Sequence, residues 1–328
     1  AITGKTLENA LDEVAELCVA AVERTGDADN VKVVSFPGGS LADSSLYSGC
    51  IINKDYVLHS EEGYDEIVLV NTGLEEEKSE DNVQVQIDVK SFQSYKASGK
   101  NTLIDKAKHL VAALPNGGVV FTRDAVNDFV CAHLKKHDIM VVRRVPESSL
   151  RSLSRATGAM IYQTPDEVVE STHAGVVREK KNDVWYLFVQ NDYDSKEATL
   201  ILRGATSHTL DEVERGFDDA LGVVSLVLNN GEVVVGGGNA YARMASHLRQ
   251  HAAQIGGRAQ MAIEAFADAL EIIPATIAEN AGHDPLDTIL AMRHEILLGN
   301  PEVGPNVNEG GVIDMRVLGV YEPTELIK

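Results

Sequence analysis

Arg203 to Met244 reads RGATSHTLDEVERGFDDALGVVSLVLNNGEVVVGGGNAYARM, and a second run, GRAQMAIEAFADALEIIPATIAENAG, extends from Gly257 to Gly282. Thr209-Leu-Asp-Glu212 has the form of a capping box. Behind it Leu210, Val213, Phe217, Leu221 and Val224 recur at helical spacing, so an amphipathic helix starts at Thr209 and buries one stripe. At about 100° per residue Asp219 falls opposite Leu210, which aims a carboxylate away from the core face. Asp218 and Asp219 read equally well as solvated surface acids. Gly236, Gly237 and Gly238 then separate Val-Val-Val from a long helix beginning near Asn239. Three glycines there let backbone approach a ligand at a helix amino terminus, and they serve equally as a tight connection between packed helices. The second run completes a helical hairpin, and beyond Ser207 the pattern is almost wholly helical.

Working back toward the amino terminus, the texture changes. Two strands, VWYLFVQ and ATLILRG, close an α/β region in which GVVFT, a helix from Val126 to Lys136, IMVVRRV and a helix from Ser148 to Thr157 alternate. Ahead of these, helical spacing places Ala107, Leu110, Val111 and Leu114 on one face. The short runs VKVVSF, CIINKDYVL, EIVLVNT and VQVQID are β-rich and separated by Gly, Asp and Asn turns. At the start, Leu7, Leu11, Val14, Leu17, Cys18, Ala21 and Val22 mark residues 6–25 as an amphipathic helix that needs a partner. This helix and the one after Thr209 bracket the α/β insert, so they pair as one hinge domain built from discontinuous sequence.

The 328 residues exceed one ordinary core, so two or three domains are expected. Fifty acidic against 29 basic residues give a formal charge of −21, which repels nucleic-acid phosphates and anionic lipid. Neither nucleic acid nor membrane is an expected partner, and no apolar run approaches the roughly 20 residues of a membrane span. No signal peptide is visible. Cys18, Cys50 and Cys131 are odd in number and far apart, which argues against a disulfide framework or a CxxC metal site and for a reducing compartment, the cytoplasm.

The order and wording of the stretch from Gly204 to Glu322 resemble group II chaperonins, the archaeal thermosome subunits, and a looser resemblance continues back to Ile2. It implies an apical α/β domain (residues 49–198), an intermediate domain in two parts (1–48 and 199–226) and a partial helical equatorial domain (227–328). The implied function is ATP-dependent binding and folding of unfolded polypeptides, with hydrolysis driving domain rotation and like subunits forming a double ring. ATP and Mg²⁺ are the implied cofactors. Asp219, in FDDALGVV, takes the place of the acid that orients the attacking water, chemistry that suits a positioned carboxylate. Gly236, Gly237 and Gly238 match the family's glycine turn, with Gly237 the closest nucleotide contact. GPNVNEGGVIDM and GVYEPTELIK match the purine-side loop and the acid before Pro, so Glu322 is implied to bind the ribose. Lys5, in Thr3-Gly4-Lys5, is implied to sense the terminal phosphate. The family's amino-terminal segment, with its Gly-Asp-Gly-Thr-Thr phosphate loop, is not in the sequence. An ATPase weak or inactive by itself is therefore expected, and the alternative is a non-catalytic polypeptide-binding module with an incomplete nucleotide pocket.

Val89 to Leu114 occupies the place of the family's lid-forming protrusion. Its Ser98-Gly99-Lys100-Asn101 stretch is expected to break it ahead of a second helix, and Phe92, Tyr95 and Leu103 are either client contacts or the insert's own core. Thr3-Gly4-Lys5-Thr6 imitates the tail of a Walker A loop, but no strand leads into it. The i,i+4 pairs His133/His137 and His247/His251 lack a third ligand or the Glu of HExxH and read as surface histidines.

Overall fold

A computed structural model describes residues 11–60, 63–75, 89–191 and 195–328. The chain divides into two units, Ala1–Ser225 and Leu226–Lys328.

The first unit holds two sheets. β1 (Val31–Pro37) pairs in parallel with β10 (Ala198–Gly204), and β2 (Ser45–Tyr47) pairs antiparallel with β10 on its other side. Helices α1 (Leu11–Thr25) and α5 (Ser207–Asn230) cover this sheet. Val14, Cys18, Ala21 and Val22 of α1 meet Leu210, Val213, Phe217 and Leu221 of α5 over Leu200 and Leu202. The amphipathic stripes thus find each other, as their spacing requires. The amino end of α5 lies earlier than the sequence pattern indicates. Thr206, not Thr209, caps it, its hydroxyl accepting from the Thr209 N–H at 3.2 Å.

The larger sheet has the order β3-β9-β8-β4-β5-β6, with β7 also pairing β4. Its strands are β3 (Cys50–Ile52), β4 (Tyr64–Val70), β5 (Gly118–Thr122), β6 (Ile139–Val142), β7 (Ile161–Tyr162), β8 (Thr172–Lys181) and β9 (Val184–Gln190). β4, β5 and β6 are mutually parallel and alternate with α2 (Val89–Ala113), α3 (Asp128–Lys135) and α4 (Glu147–Thr157). Alternate residues point to opposite faces of a strand. Ile67, Leu69, Val119, Phe121, Met140 and Val142 accordingly pack on α4 through Leu150 and Leu153, whereas Val68, Val70, Val120 and Val141 pack on α2 and α3 through Leu110 and Leu134.

Three features differ from the sequence pattern. ATLILRG leaves the larger sheet and pairs with β1. β8 was not foreseen, because only Ala174 and Val176 of it are buried and its second half reads Arg-Glu-Lys-Lys. α2 runs unbroken through Ser98–Asn101, since a helix-interior glycine costs only about 1 kcal/mol and burial of Leu103, Ala107 and Leu110 outweighs it. Leu103 therefore belongs to the core and offers no client surface; the side chains of Phe92 and Tyr95, and the run VQVQID, lie outside the described residues.

The second unit packs α6 (Asn239–Ile255), α7 (Gly257–Asn280) and α8 (Pro285–Leu298), the first two forming the expected hairpin about Gly256. It is less purely helical than its sequence reads. β11 (Val233–Val235) pairs with β14 (Tyr321–Pro323), and β12 (Val303–Pro305) with β13 (Val312–Asp314). Glu271 of α7, 4% exposed, is clasped by Arg249 of α6 and Arg293 of α8, so a buried carboxylate ties the three helices together. Among the described residues no helix is long and apolar enough to cross a membrane.

Candidate functional site

The site is a corner of the second unit where β11 enters α6. Gly237 and Gly238 take left-handed backbone, with φ of 67° and 75°. Only glycine adopts this at little cost. A Cβ on Gly236 would stand 2.9 Å from Glu322 Cγ, one on Gly237 2.7 Å from Met315 Sδ, and one on Gly238 2.8 Å from Pro274 Cβ. Each glycine thus faces a neighbour in the chain's own fold at close range, and the one at Gly238 includes the main-chain Cα of Pro274.

Glu322 reaches this turn because β14 is in register with β11, Val234 opposite Glu322. Its Oε1 accepts the Gly237 N–H at 3.1 Å. Gly236, Gly237, Gly238 and Glu322 therefore form one contact set. Asn239, the first residue of α6, was missed in the sequence. It is 1% exposed, and its Nδ2 donates to the carbonyls of Pro301 and Val303 at 2.6 and 2.7 Å, tying the helix start to β12. A polar residue directly after a glycine turn, where a first-turn position is ordinarily solvated, was the available signal. Buried Met315 was missed as well; it lies beneath both Gly237 and Gly304.

Asp219 belongs to the first unit, on the exposed side of α5 away from the Leu210 stripe. With Glu212, Arg215 and Asp218 it lines a depression of about 450 Å³. Partial burial, then the neighbouring Asp219 charge, raises the Asp218 carboxyl above its ordinary range. Burial, then Asp218 and Asp211, does the same to Glu214. Lys5 lies outside the described residues.

The remaining candidates lie apart from this contact set. Cys18, Cys50 and Cys131 are buried free thiols, pushed by burial up to about 12, 12 and 11 respectively. The rings of His133 and His137 stand 5.3 Å apart. Burial, then His137 and the lysines at 136 and 108, lowers the pKa of His133. His247 and His251 are exposed on α6. A second-unit groove of about 730 Å³, lined by Tyr241, Met244, Leu248, Phe266 and Leu270, is mainly apolar, and Phe266 remains 59% exposed.

A nucleotide fits this chain in part. The first-turn N–H groups of a helix lack intrahelical acceptors and favour anions, and the second Glu322 oxygen is not used in the Gly237 bond. Among the described residues no group of three His, Cys, Asp or Glu that could hold a metal ion occurs.

Three comparisons bear on this geometry. The TCP-1/cpn60 chaperonin family model matches residues 1–328. The thermosome subunit alpha of Halobacterium salinarum is 39% identical over 98% of this chain and 59% of its own length. The thermosome subunit of Methanopyrus kandleri is 37% identical over 98% of this chain and 62% of its own. The chain thus spans about three-fifths of these relatives. Among solved structures, the open-state monomer of a group II chaperonin from Methanococcoides burtonii is 31% identical and superposes with a TM-score of 0.72 over 99% of this chain and 79% of that one.

Proposed function

The chain belongs to the TCP-1/cpn60 chaperonin family, and from that premise we propose that it is a subunit, or a large piece of one, of an ATP-dependent group II chaperonin that binds and folds unfolded polypeptides. In this reading the seven-stranded sheet with its helices is the apical domain (49–198). The three-stranded sheet with α1 and α5 is the intermediate domain (1–48 and 199–226), and the second unit is part of the equatorial domain (227–328). Like subunits assemble with it in a double ring, in the cytoplasm.

One observation carries the nucleotide part: the Glu322 carboxylate hydrogen-bonded to the Gly237 N–H at the amino end of α6. That bond fixes one carboxylate oxygen and would leave the other for a ribose hydroxyl; the Gly236 and Gly237 N–H groups are taken by the Val320 carbonyl and Glu322, so the phosphates would be met by the rest of the amino end of α6. Bound ATP would supply the phosphoanhydride whose cleavage drives the cycle. Asp219 orients and partly deprotonates the attacking water. α5 carries Asp219 and also forms the core beneath the three-stranded sheet, so a change at the acid reaches the hinge as a rigid-body shift. Lys5 senses the terminal phosphate.

The test is ATP binding and turnover with magnesium by this chain, by its Asp219→Ala variant, and by the chain extended with the family's phosphate-loop segment. Turnover that appears on extension and falls with Asp219→Ala supports the motor. Absence of turnover in the extended protein overturns it and leaves the polypeptide-binding module, which should suppress client aggregation without nucleotide.

A further inference from the structure

The dipeptide Asn-Gly occurs twice, at Asn116-Gly117 and Asn230-Gly231, and the fold treats the two copies differently. In such a pair no Cβ shields the main-chain nitrogen that follows the carboxamide. Asn116 is exposed in the tight turn from α2 to β5, with Pro115 before it. The turn is closed by a 3.2 Å bond from the Gly117 N–H to the Leu114 carbonyl, and Pro and Asn are typical of such a turn. The Asn116 carboxamide has no hydrogen-bond partner among the described residues. Asn230 instead ends α5, and Gly231 continues it in left-handed backbone with φ of 67°. The Gly231 N–H donates to the Val227 carbonyl at 2.7 Å, and Asn230 Nδ2 donates to Glu325 Oε2 at 3.5 Å. The following nitrogen is thus engaged in both copies, and they differ at the carboxamide, held by Glu325 in the second and without a partner among the described residues in the first.

We propose that Asn116 is a site of spontaneous covalent modification in the folded protein, converting to aspartate and isoaspartate, while the fold protects Asn230. The Gly117 nitrogen attacks Cγ of Asn116, and the new C–N bond closes a five-membered imide. The Cγ–Nδ2 bond breaks, and ammonia leaves with the proton given up by the Gly117 nitrogen. Water, the one co-reactant, then opens the imide at either carbonyl; no electron is gained or lost. Both products add a negative charge, and isoaspartate adds a methylene to the main chain just ahead of β5. That strand is interior to the sheet, between β4 and β6. Gly118 donates to the Asp138 carbonyl at 3.1 Å, and the Asp138 carboxylate lies 3.2 Å from where a Gly117 Cβ would stand. The new charge therefore arises beside an existing one.

The full chain would be incubated at mildly alkaline pH in native buffer and in urea, digested, and the two Asn-Gly peptides followed by mass. Each event adds about one mass unit. In native buffer the gain should accumulate at Asn116 at least about fivefold faster than at Asn230, the factor expected when both sites must release a main-chain N–H but only one must also release its carboxamide hydrogen bond. In urea the two rates should converge. Asn116→Gln should abolish the first signal and leave the second. Equal native rates, faster reaction at Asn230, or an inert Asn116 in native buffer while both sites convert in urea would each overturn the proposal.

Discussion

Gly231, Gly237 and Gly238 form a natural series for measuring what the glycine turn requires. Gly231 and Gly237 share a φ of 67°, and Gly238 has 75°, so alanine at each incurs a similar left-handed penalty of about 1 kcal/mol. Their surroundings differ. Nothing lies within 4 Å of a Cβ on Gly231, one on Gly237 meets the movable thioether of Met315 at 2.7 Å, and one on Gly238 meets Pro274 Cβ at 2.8 Å and Cα at 3.0 Å. Pro274 is buried in the interior of α7 and cannot move aside. Overpacking a closed core adds about 1–3 kcal/mol. Gly231→Ala should therefore cost about 1 kcal/mol, Gly237→Ala about 2 and Gly238→Ala about 3–4. Adding Met315→Ala should relieve the clash in Gly237→Ala and leave Gly231→Ala unrelieved. The sole tryptophan, Trp185, lies in the first unit, so its fluorescence does not report on this corner. Amide exchange across Asn239–Ala245 and urea unfolding followed by helical circular dichroism would serve. Equal costs at the three positions, or the largest at Gly231, would refute the claim that packing fixes the glycines at 237 and 238.

Three further outcomes are expected. Hydrogen bonds from Arg293 and Arg249 hold the Glu271 carboxyl below its ordinary 4.5, against burial that alone would raise it. Its contribution is thus complete above about pH 4.5 and lost as pH falls through the depressed value; acid titration of second-unit stability should show this in the native chain and lose it in Glu271→Gln, whose cost near neutral pH should be about 2–3 kcal/mol. Glu197 is 1% exposed and pairs at 2.7 Å with Arg155, which is partly solvated; Arg155→Ala strands a buried charge and should cost about 2–3 kcal/mol, Glu197→Ala less, with the double variant close to Glu197→Ala in chemical denaturation. Cys18, Cys50 and Cys131, buried and with raised pKa values, should resist a disulfide reagent at pH 8 in the native state and titrate fully in denaturant, because the thiolate is the reactive form; rapid native labelling would contradict their placement.

The sequence by itself determined where local periodicity is strong. The Leu210, Val213, Phe217, Leu221 stripe, the alternation of strand and helix from Gly118 to Thr157, and the glycine turn ahead of a helix at Asn239 were all legible, because spacing states which face is apolar. Periodicity does not say what covers that face. Only the tertiary structure joined Val31–Pro37 to Ala198–Gly204 as one sheet, since strand partners far apart in sequence are chosen by the core that closes over them. Only it carried α2 through Gly99, where burial of the helix's later turns outweighs a weak local propensity. Only it showed that each glycine of the turn faces a side chain from elsewhere in the chain, and that Asn239 is buried by two carbonyl acceptors contributed by Pro301 and Val303. A residue's need for glycine, or its freedom to be polar inside a core, is set by atoms distant in sequence, and those atoms meet only when the chain has folded.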